Sequence, residues 1–481
     1  MMNWLVKARK RGCPLLAVST PEPLGAVAHI RAHMCQEGGA AWAWDCASGF
    51  TPMTEQAQAY GTEDDVDDPA RMLQWARTVP ACSLIVALWH QEYWQDALVR
   101  QGIMNLRDPY KGNGRTLVLM GRGLQVPPGL HSDFLTWEEA LPGTDALCDI
   151  VRGIEQSTHC VPLGDETSKA VDALRGMTAF EGEQQCAMAV CKNGIDIGAL
   201  WQAKVKLINS TPGLQYWQGK ETREQVVGLE GIMKYLEAEA QGRQPVALIL
   251  WVDEAEGTFG GAEGDTSGVS QDYRDRIATH MVETEARGMV LAGHSGTGKS
   301  HTAKAAGSVF RCPVLALDTG ACKGSLVGES ESNLRHALAI ERAIVGGKPG
   351  STLWLWTTND PGKIPQKIRS RSQPEWFFDL PKQQEQLTMW KLYMSQYGLE
   401  SQTFPNFEGW TGREVKQCCF EAWNKRQTLV QAAQWVVPGA VSQAQAIAQR
   451  RQQASGRYLD ACQGGVYRWA GDSAQARRIE G

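Results

Sequence analysis

Over the first 150 residues, short continuous apolar runs alternate with stretches of helical spacing. The runs LLAVST (15–20), AAWAW (40–44), CSLIVALW (82–89) and RTLVLMG (115–121) have the length of buried parallel strands. GAVAHIRAHMCQ and DPARMLQWARTV between them are spaced as helices, so an α/β domain is expected over 1–152. STPEP follows the first strand where a glycine-rich phosphate loop would stand, which predicts a domain without nucleotide binding there. From 165 to 242 the pattern reads as helical throughout, broken at Pro212-Gly213, and 153–222 is assigned to a helical connector.

The second half returns to strand and helix. VALILWVDEAEG (246–257) is an apolar strand ending on Asp253-Glu254, and an amphipathic stretch, SQDYRDRIATHMVETEA, follows it. Three more apolar runs, MVLAG, CPVLALDTG and STLWLWTTND, lead to FFDLP and complete an expected core over 223–380. The chain then turns helical, giving a lid at 381–450 and an arginine-rich tail at 451–481. From Arg450 onward the tail region carries six arginines against Asp460, Asp472 and Glu480.

The chemistry concentrates at Gly293-His294-Ser295-Gly296-Thr297-Gly298-Lys299-Ser300, with His301 next in line. An apolar strand precedes this GxxxxGK[ST] pattern and a helix follows it, the context a phosphate loop needs. Its glycines let backbone N–H groups close around phosphates, and the helix brings its positive end to the same place. Lys299 would reach the β- and γ-phosphates of ATP, and the Ser300 hydroxyl would sit on Mg²⁺. Asp253 would hold the metal's shell and Glu254 would polarise the attacking water. The order is unusual, because the carboxylates come before the phosphate loop.

Composition changes little in this picture. The 481 residues are 43% hydrophobic and 21% charged, with a net charge of −5, which disfavours a broadly basic nucleic-acid binder. Thirteen cysteines without a CxxC pair read as reduced thiols. No apolar run approaches a membrane span, so a cytoplasmic protein without membrane contact is expected.

Taken together, VVGLEGIMKYL, WVDEAEGTF, GHSGTGKSHTAKA, LALDTGACKGSLVGESESNLRHAL, TTND and FFDLP resemble an AAA+ ATPase. More narrowly, they are similar to the chloroplast-reading-frame (Ycf-type) AAA proteins of plastids and cyanobacteria. The resemblance implies an α/β fold: a P-loop AAA+ core with permuted strand order, a helical lid, and a degenerate, RecA-like N-terminal domain. It implies that Val227 and Gly228 pack the adenine and that Asn359 helps position the water. It puts Arg369 or Arg371 at the finger that reaches a neighbouring subunit's γ-phosphate. Leu326-Val327 stand at the pore loop, without its usual aromatic, and Gly412-Arg413-Glu414 at the lid motif. A homo-oligomeric ring such as a hexamer, acting on a protein substrate, is the implied assembly. The alternatives are a nucleic-acid-associated ATPase, such as a helicase loader using the tail, and a nucleotide-dependent switch that hydrolyses little. With the strand order 5-1-4-3-2 of the AAA sheet, each altered connection skips one neighbour and is spanned by a helix, so the permuted chain is expected to rebuild an ordinary sheet.

Overall fold

A computed structural model describes residues 1–62, 66–219, 221–259, 269–322 and 329–469. The chain divides into two compact units, Met1–Asp196 and Ile197–Gly481.

The first unit holds β1 (Leu15–Ser19), β2 (Ala41–Asp45), β3 (Gly49–Pro52), β4 (Leu84–Leu88), β5 (Thr116–Gly121) and β6 (Leu135–Glu138) in the order β3-β2-β4-β5-β1-β6. All neighbours are parallel except the β2–β3 hairpin. Both faces are covered, which explains the unbroken apolar runs. Leu15, Ala17, Ile85, Ala87, Leu117 and Leu119 enter one core, while Leu16, Val18, Leu84, Val86, Val118 and Met120 enter the other. At the end of β1 the Thr20 hydroxyl donates to Glu139 (2.5 Å) and Pro23 opens the helix Pro23–Glu37.

The stretch expected to be helical throughout is interrupted. A two-stranded hairpin, β7 (Val190–Cys191) and β8 (Gly194–Ile195), closes the first unit, and the helix Ile197–Ser210 opens the second. Beyond the Pro212-Gly213 turn, β9 (Leu214–Trp217) runs antiparallel along a sheet edge. Its four residues are too few for a period to be read against the helices on either side.

The second unit is built on β10 (Leu248–Val252), β11 (Arg287–Gly293), β12 (Val314–Leu317), β13 (Thr352–Thr358), β14 (Glu375–Phe378) and β15 (Leu459–Asp460). With β9, their order is β15-β14-β11-β13-β10-β12-β9. The inner five, β14-β11-β13-β10-β12, are mutually parallel and reproduce the 5-1-4-3-2 order expected of a permuted AAA core. The helix Val269–Glu283 carries the chain from β10 over β13 to β11, and Glu329–Ile344 carries it from β12 over β10 to β13. Register then aligns the strand ends: Val252 lies opposite Trp356, Ala292 opposite Thr358, and Gly293 opposite Phe378. The polar residues that follow these strands therefore emerge side by side at the carboxyl edge, where open α/β sheets bind ligands.

The helices Gln383–Tyr397 and Gly412–Lys425 form the lid around Trp390, Trp410, Val415, Cys418 and Leu429. Residues 451–469, read in sequence as part of a tail, end the helix Ala444–Ala454 and add β15 to the sheet. Ala461 joins the core there, and the carbonyls of Ala461 and Cys462 accept from the N–H groups of Ile232 and Gly231 at the start of the helix Glu230–Ala240. No isolated apolar run marked this segment. It is held by backbone pairing and by helix capping, which composition does not reveal.

Candidate functional site

The phosphate loop joins β11 to the helix Lys299–Phe310. Two of its glycines are required by space and conformation. A Cβ on Gly293 would lie 2.3 Å from the Phe378 carbonyl, and Gly296, at φ +84°, would carry one 2.7 Å from the Thr411 hydroxyl. Lys299 is buried, and its Nζ donates to the carbonyls of Gly293 (2.9 Å) and His294 (2.7 Å) and to Asn359 Oδ1 (3.0 Å). Burial pushes this ammonium down to about 8, against the opposing pull of the Glu256 and Asp253 carboxylates.

Ser300 Oγ donates to Asp253 Oδ1 at 2.8 Å, so residues 253 and 300 meet although the carboxylate comes first in the chain. Thr357, at the end of β13, donates to Asp253 Oδ1 (2.5 Å) and accepts from the Glu254 N–H (3.3 Å). Glu254 itself sits at φ +47°, in the left-handed region, and its side chain is exposed. Asn359 follows β13, beside the phosphate loop, and both its main-chain N–H and its Nδ2 donate to Glu256 Oε1 at 3.1 Å.

A small cavity next to the loop is lined by Val227, Gly228, Leu229, Thr297, Asp379, Pro381, Glu385, Met389, Gly412 and Cys462. Val227 and Gly228 thus border a cavity beside Thr297 of the phosphate loop. Of the lid motif, Arg413 donates to Ser295 Oγ (2.9 Å), while Glu414 accepts from the N–H groups of Thr411 (2.7 Å) and Gly439 (2.6 Å) and so braces the lid. The Nε2 of the half-buried His301 lies 3.2 Å from the Gln225 carbonyl.

The two arginines differ. Arg369 is clamped to the buried Glu375 through Nε (3.0 Å) and Nη2 (2.6 Å), and Nη2 also meets Tyr458 (3.0 Å). Arg371 is exposed and, among the described residues, its hydrogen bonding reaches only main chain, at the Lys367 carbonyl (2.5 Å). Leu326 and Val327 lie outside the described residues.

Sequence reasoning missed several groups. Thr357 and Glu256 sit within motifs already singled out, TTND and WVDEAEGTF, and could have been read from the polar ending of an apolar strand. Arg450, Arg451 and Tyr467 left no such signal. Arg450 meets His294 Nδ1 at 3.2 Å, while Arg451 and Tyr467 hold the two oxygens of Asp379 at 2.7 Å each. Burial, then the charge on Arg450, depresses the His294 imidazole's affinity for a proton.

A parallel sheet with a glycine-rich loop and a lysine at its carboxyl edge is the arrangement of a P-loop domain. Residues 289–345 match the family described as ATPase family associated with various cellular activities (AAA), and residues 2–138 match the SpoVK-like AAA ATPase N-terminal domain. The chain is similar to an AAA domain-containing protein, Ycf46, of Trieres chinensis: 20% identical over 470 residues, covering 87% of each chain. The Ycf46 protein of Pyropia yezoensis is 20% identical over 82% of this chain and 81% of its own. That of Gracilaria tenuistipitata var. liui is 46% identical over 55 residues, 11% of each.

Proposed function

We propose that this chain hydrolyses ATP with Mg²⁺ and couples the cycle to remodelling a protein partner as a homo-oligomeric ring. The 2.8 Å hydrogen bond between Ser300 Oγ and Asp253 Oδ1 carries the reading. Two hard oxygen donors, Asp253 just past β10 and Ser300 in the first turn of the helix Lys299–Phe310, suit magnesium, and the N–H groups that open that helix, with Lys299, suit phosphates. The Cβ clashes at Gly293 and Gly296 support the fit, because any larger residue would push the loop off the neighbouring strand and lid.

In this reading Lys299 leaves its carbonyl partners to neutralise the β- and γ-phosphates, and Ser300 and Asp253 hold the metal. Bound magnesium offsets charge on the phosphate oxygens. Glu254, free of the hydrogen bonds that tie down Asp253, takes the proton of the attacking water, and Asn359 orients that water. Val227 and Gly228 pack the base in the cavity they share with Asp379 and Cys462. Arg371 is the finger that acts on the neighbouring subunit's site. Arg369 is committed to Glu375 and Tyr458, whereas Arg371 has its guanidinium at the surface. Arg450 and Arg451, which sequence counts among the tail's basic residues, are engaged at His294 and Asp379. That engagement favours a protein partner over nucleic acid. No described helix is long and apolar enough to cross a membrane.

The test is the variant Glu254→Gln. It should bind ATP as the parent does, lose turnover, and accumulate as an ATP-bound assembly from which the partner can be captured. Undiminished turnover in this variant would remove Glu254 from the role of base.

A further inference from the structure

Among the described residues, one carboxylate close to Lys299 and Asn359 is neither the proposed base nor a metal-holding group. Glu256 lies three residues beyond Asp253, on the short helix Ala255–Phe259. Its Oε1 accepts twice from Asn359, from the main-chain N–H and from Nδ2, both at 3.1 Å. Its Oε2 is buried and has no hydrogen-bond partner among the described residues. A buried acceptor left unpaired is costly and calls for a reason.

The reason lies in what the other oxygen does. A side-chain amide has a donor end and an acceptor end that exchange by rotation through half a turn. Asn359 is held between an anion and a cation: Nδ2 faces the Glu256 carboxylate and Oδ1 faces the Lys299 ammonium at 3.0 Å. The flipped amide would set oxygen against carboxylate and N–H against ammonium, so only one orientation is stable. The main-chain bond adds a second tether, which fixes where the chain leaves β13 as well as how the amide points. Glu254 does nothing comparable. Its side chain is exposed and its backbone is left-handed, at φ +47°.

We infer that Glu256 is a positioning residue for ATP hydrolysis: it clamps Asn359 so that the amide oxygen, not the amide nitrogen, faces the phosphate loop. This rests on the reading of the site as an ATPase. It divides the two glutamates of the Asp-Glu-Ala-Glu run between two tasks, with Glu254 acting on water and Glu256 acting through Asn359. When Lys299 turns to the phosphates, the amide oxygen stays aimed at the same space, because its orientation is fixed from the Glu256 side.

Two variants and one double variant test this. Glu256→Leu removes both acceptors, whereas Glu256→Gln keeps a carbonyl oxygen that can accept from Asn359. Hydrogen exchange, followed by mass spectrometry on the protein without nucleotide, should show the Asn359 amide exchanging at least about 10-fold faster in Glu256→Leu, because an amide without an acceptor opens freely. Turnover in Glu256→Leu should fall roughly 100-fold, the size of loss expected from misplacing a group at a reaction centre. The affinity for ATP should stay within about threefold of the parent, since the Glu256 contact is made to Asn359 and not to nucleotide. Glu256→Gln should recover most of both losses. Glu256→Leu combined with Asn359→Ala should turn over no more slowly than Asn359→Ala alone, because residues that act as a unit are not additive.

Unchanged exchange at Asn359, or losses that multiply in the double variant, overturn the inference while leaving the ATPase reading intact. A parent protein that hydrolyses no ATP brings down both, whereas a Glu254→Gln variant as active as the parent removes only Glu254 from the role of base. If Glu256→Leu unfolds, Glu256→Gln decides alone: it must keep the parent's exchange and most of its turnover, and a 100-fold loss with the Asn359 amide still protected refutes the positioning role.

Discussion

Arg369 and Arg371 stand two residues apart and have opposite surroundings, so their loss should be felt in different measurements. Arg369→Ala strands the Glu375 carboxylate, which is 8% exposed, without its bidentate partner. Breaking a buried pair costs 3–5 kcal/mol, and because Arg369 keeps 27% exposure we expect about 2 kcal/mol, read as a lower midpoint in urea. Arg371→Ala should leave that midpoint unmoved and reduce turnover about 1000-fold, as removal of an arginine finger does. Were Arg369→Ala the catalytic lesion and Arg371→Ala silent, the assignment would be reversed. Lys299→Ala should weaken ATP binding about 100-fold or more, because it removes the buried ammonium proposed to meet the phosphates while the nearby Arg413 and Arg450 are engaged at Ser295 and His294. Isothermal titration measures it directly.

At the scale of elements, the segment following the helix Ala444–Ala454 supplies one wall of the cavity beside the phosphate loop. β15 extends the sheet beyond β14, Cys462 lines the cavity beside the phosphate loop, and the carbonyls of Ala461 and Cys462 cap the helix Glu230–Ala240. The approach depends on Gly231, where a Cβ would lie 2.2 Å from the Gly464 nitrogen and 2.7 Å from the Asp460 carbonyl. Gly231→Ala must therefore move backbone, which we expect to cost about 2 kcal/mol. The same variant should bind ATP more weakly, because the cavity loses its Cys462 wall. Equal ATP affinity in parent and variant would detach the segment from the site. The phosphate loop and the strand ending in Asp253-Glu254 were legible in sequence because each puts an abrupt polar or glycine-rich ending on a continuous apolar run. β9 and β15 were not, since four residues and two residues leave no period to read and their stability comes from neighbours distant in the chain.

For the whole molecule, an arginine that works across an interface makes activity a property of the assembly. Turnover per chain should rise with protein concentration and vanish when Mg²⁺ is chelated. Mixing Arg371→Ala with Glu254→Gln should restore part of the activity, because some neighbouring pairs then combine an intact base with an intact finger. Mixtures no more active than their components would argue for a site complete within one chain. By itself the sequence determined the local chemistry: a loop whose glycines allow N–H groups to converge, a lysine and serine at its end, carboxylates closing one strand and an asparagine closing another. These are short-range facts, written in spacing and residue type. Tertiary structure alone decided that the two halves meet. The pairings Val252–Trp356 and Ala292–Thr358 bring Asp253 and Asn359 up to a loop that follows one of them and precedes the other in the chain. It also decided which arginine is occupied, which glutamate holds Asn359, and that Arg450 comes to rest on His294. Each of those depends on hydrogen bonds and registers between distant residues, which strand pairing sets in space and no periodicity along the chain records.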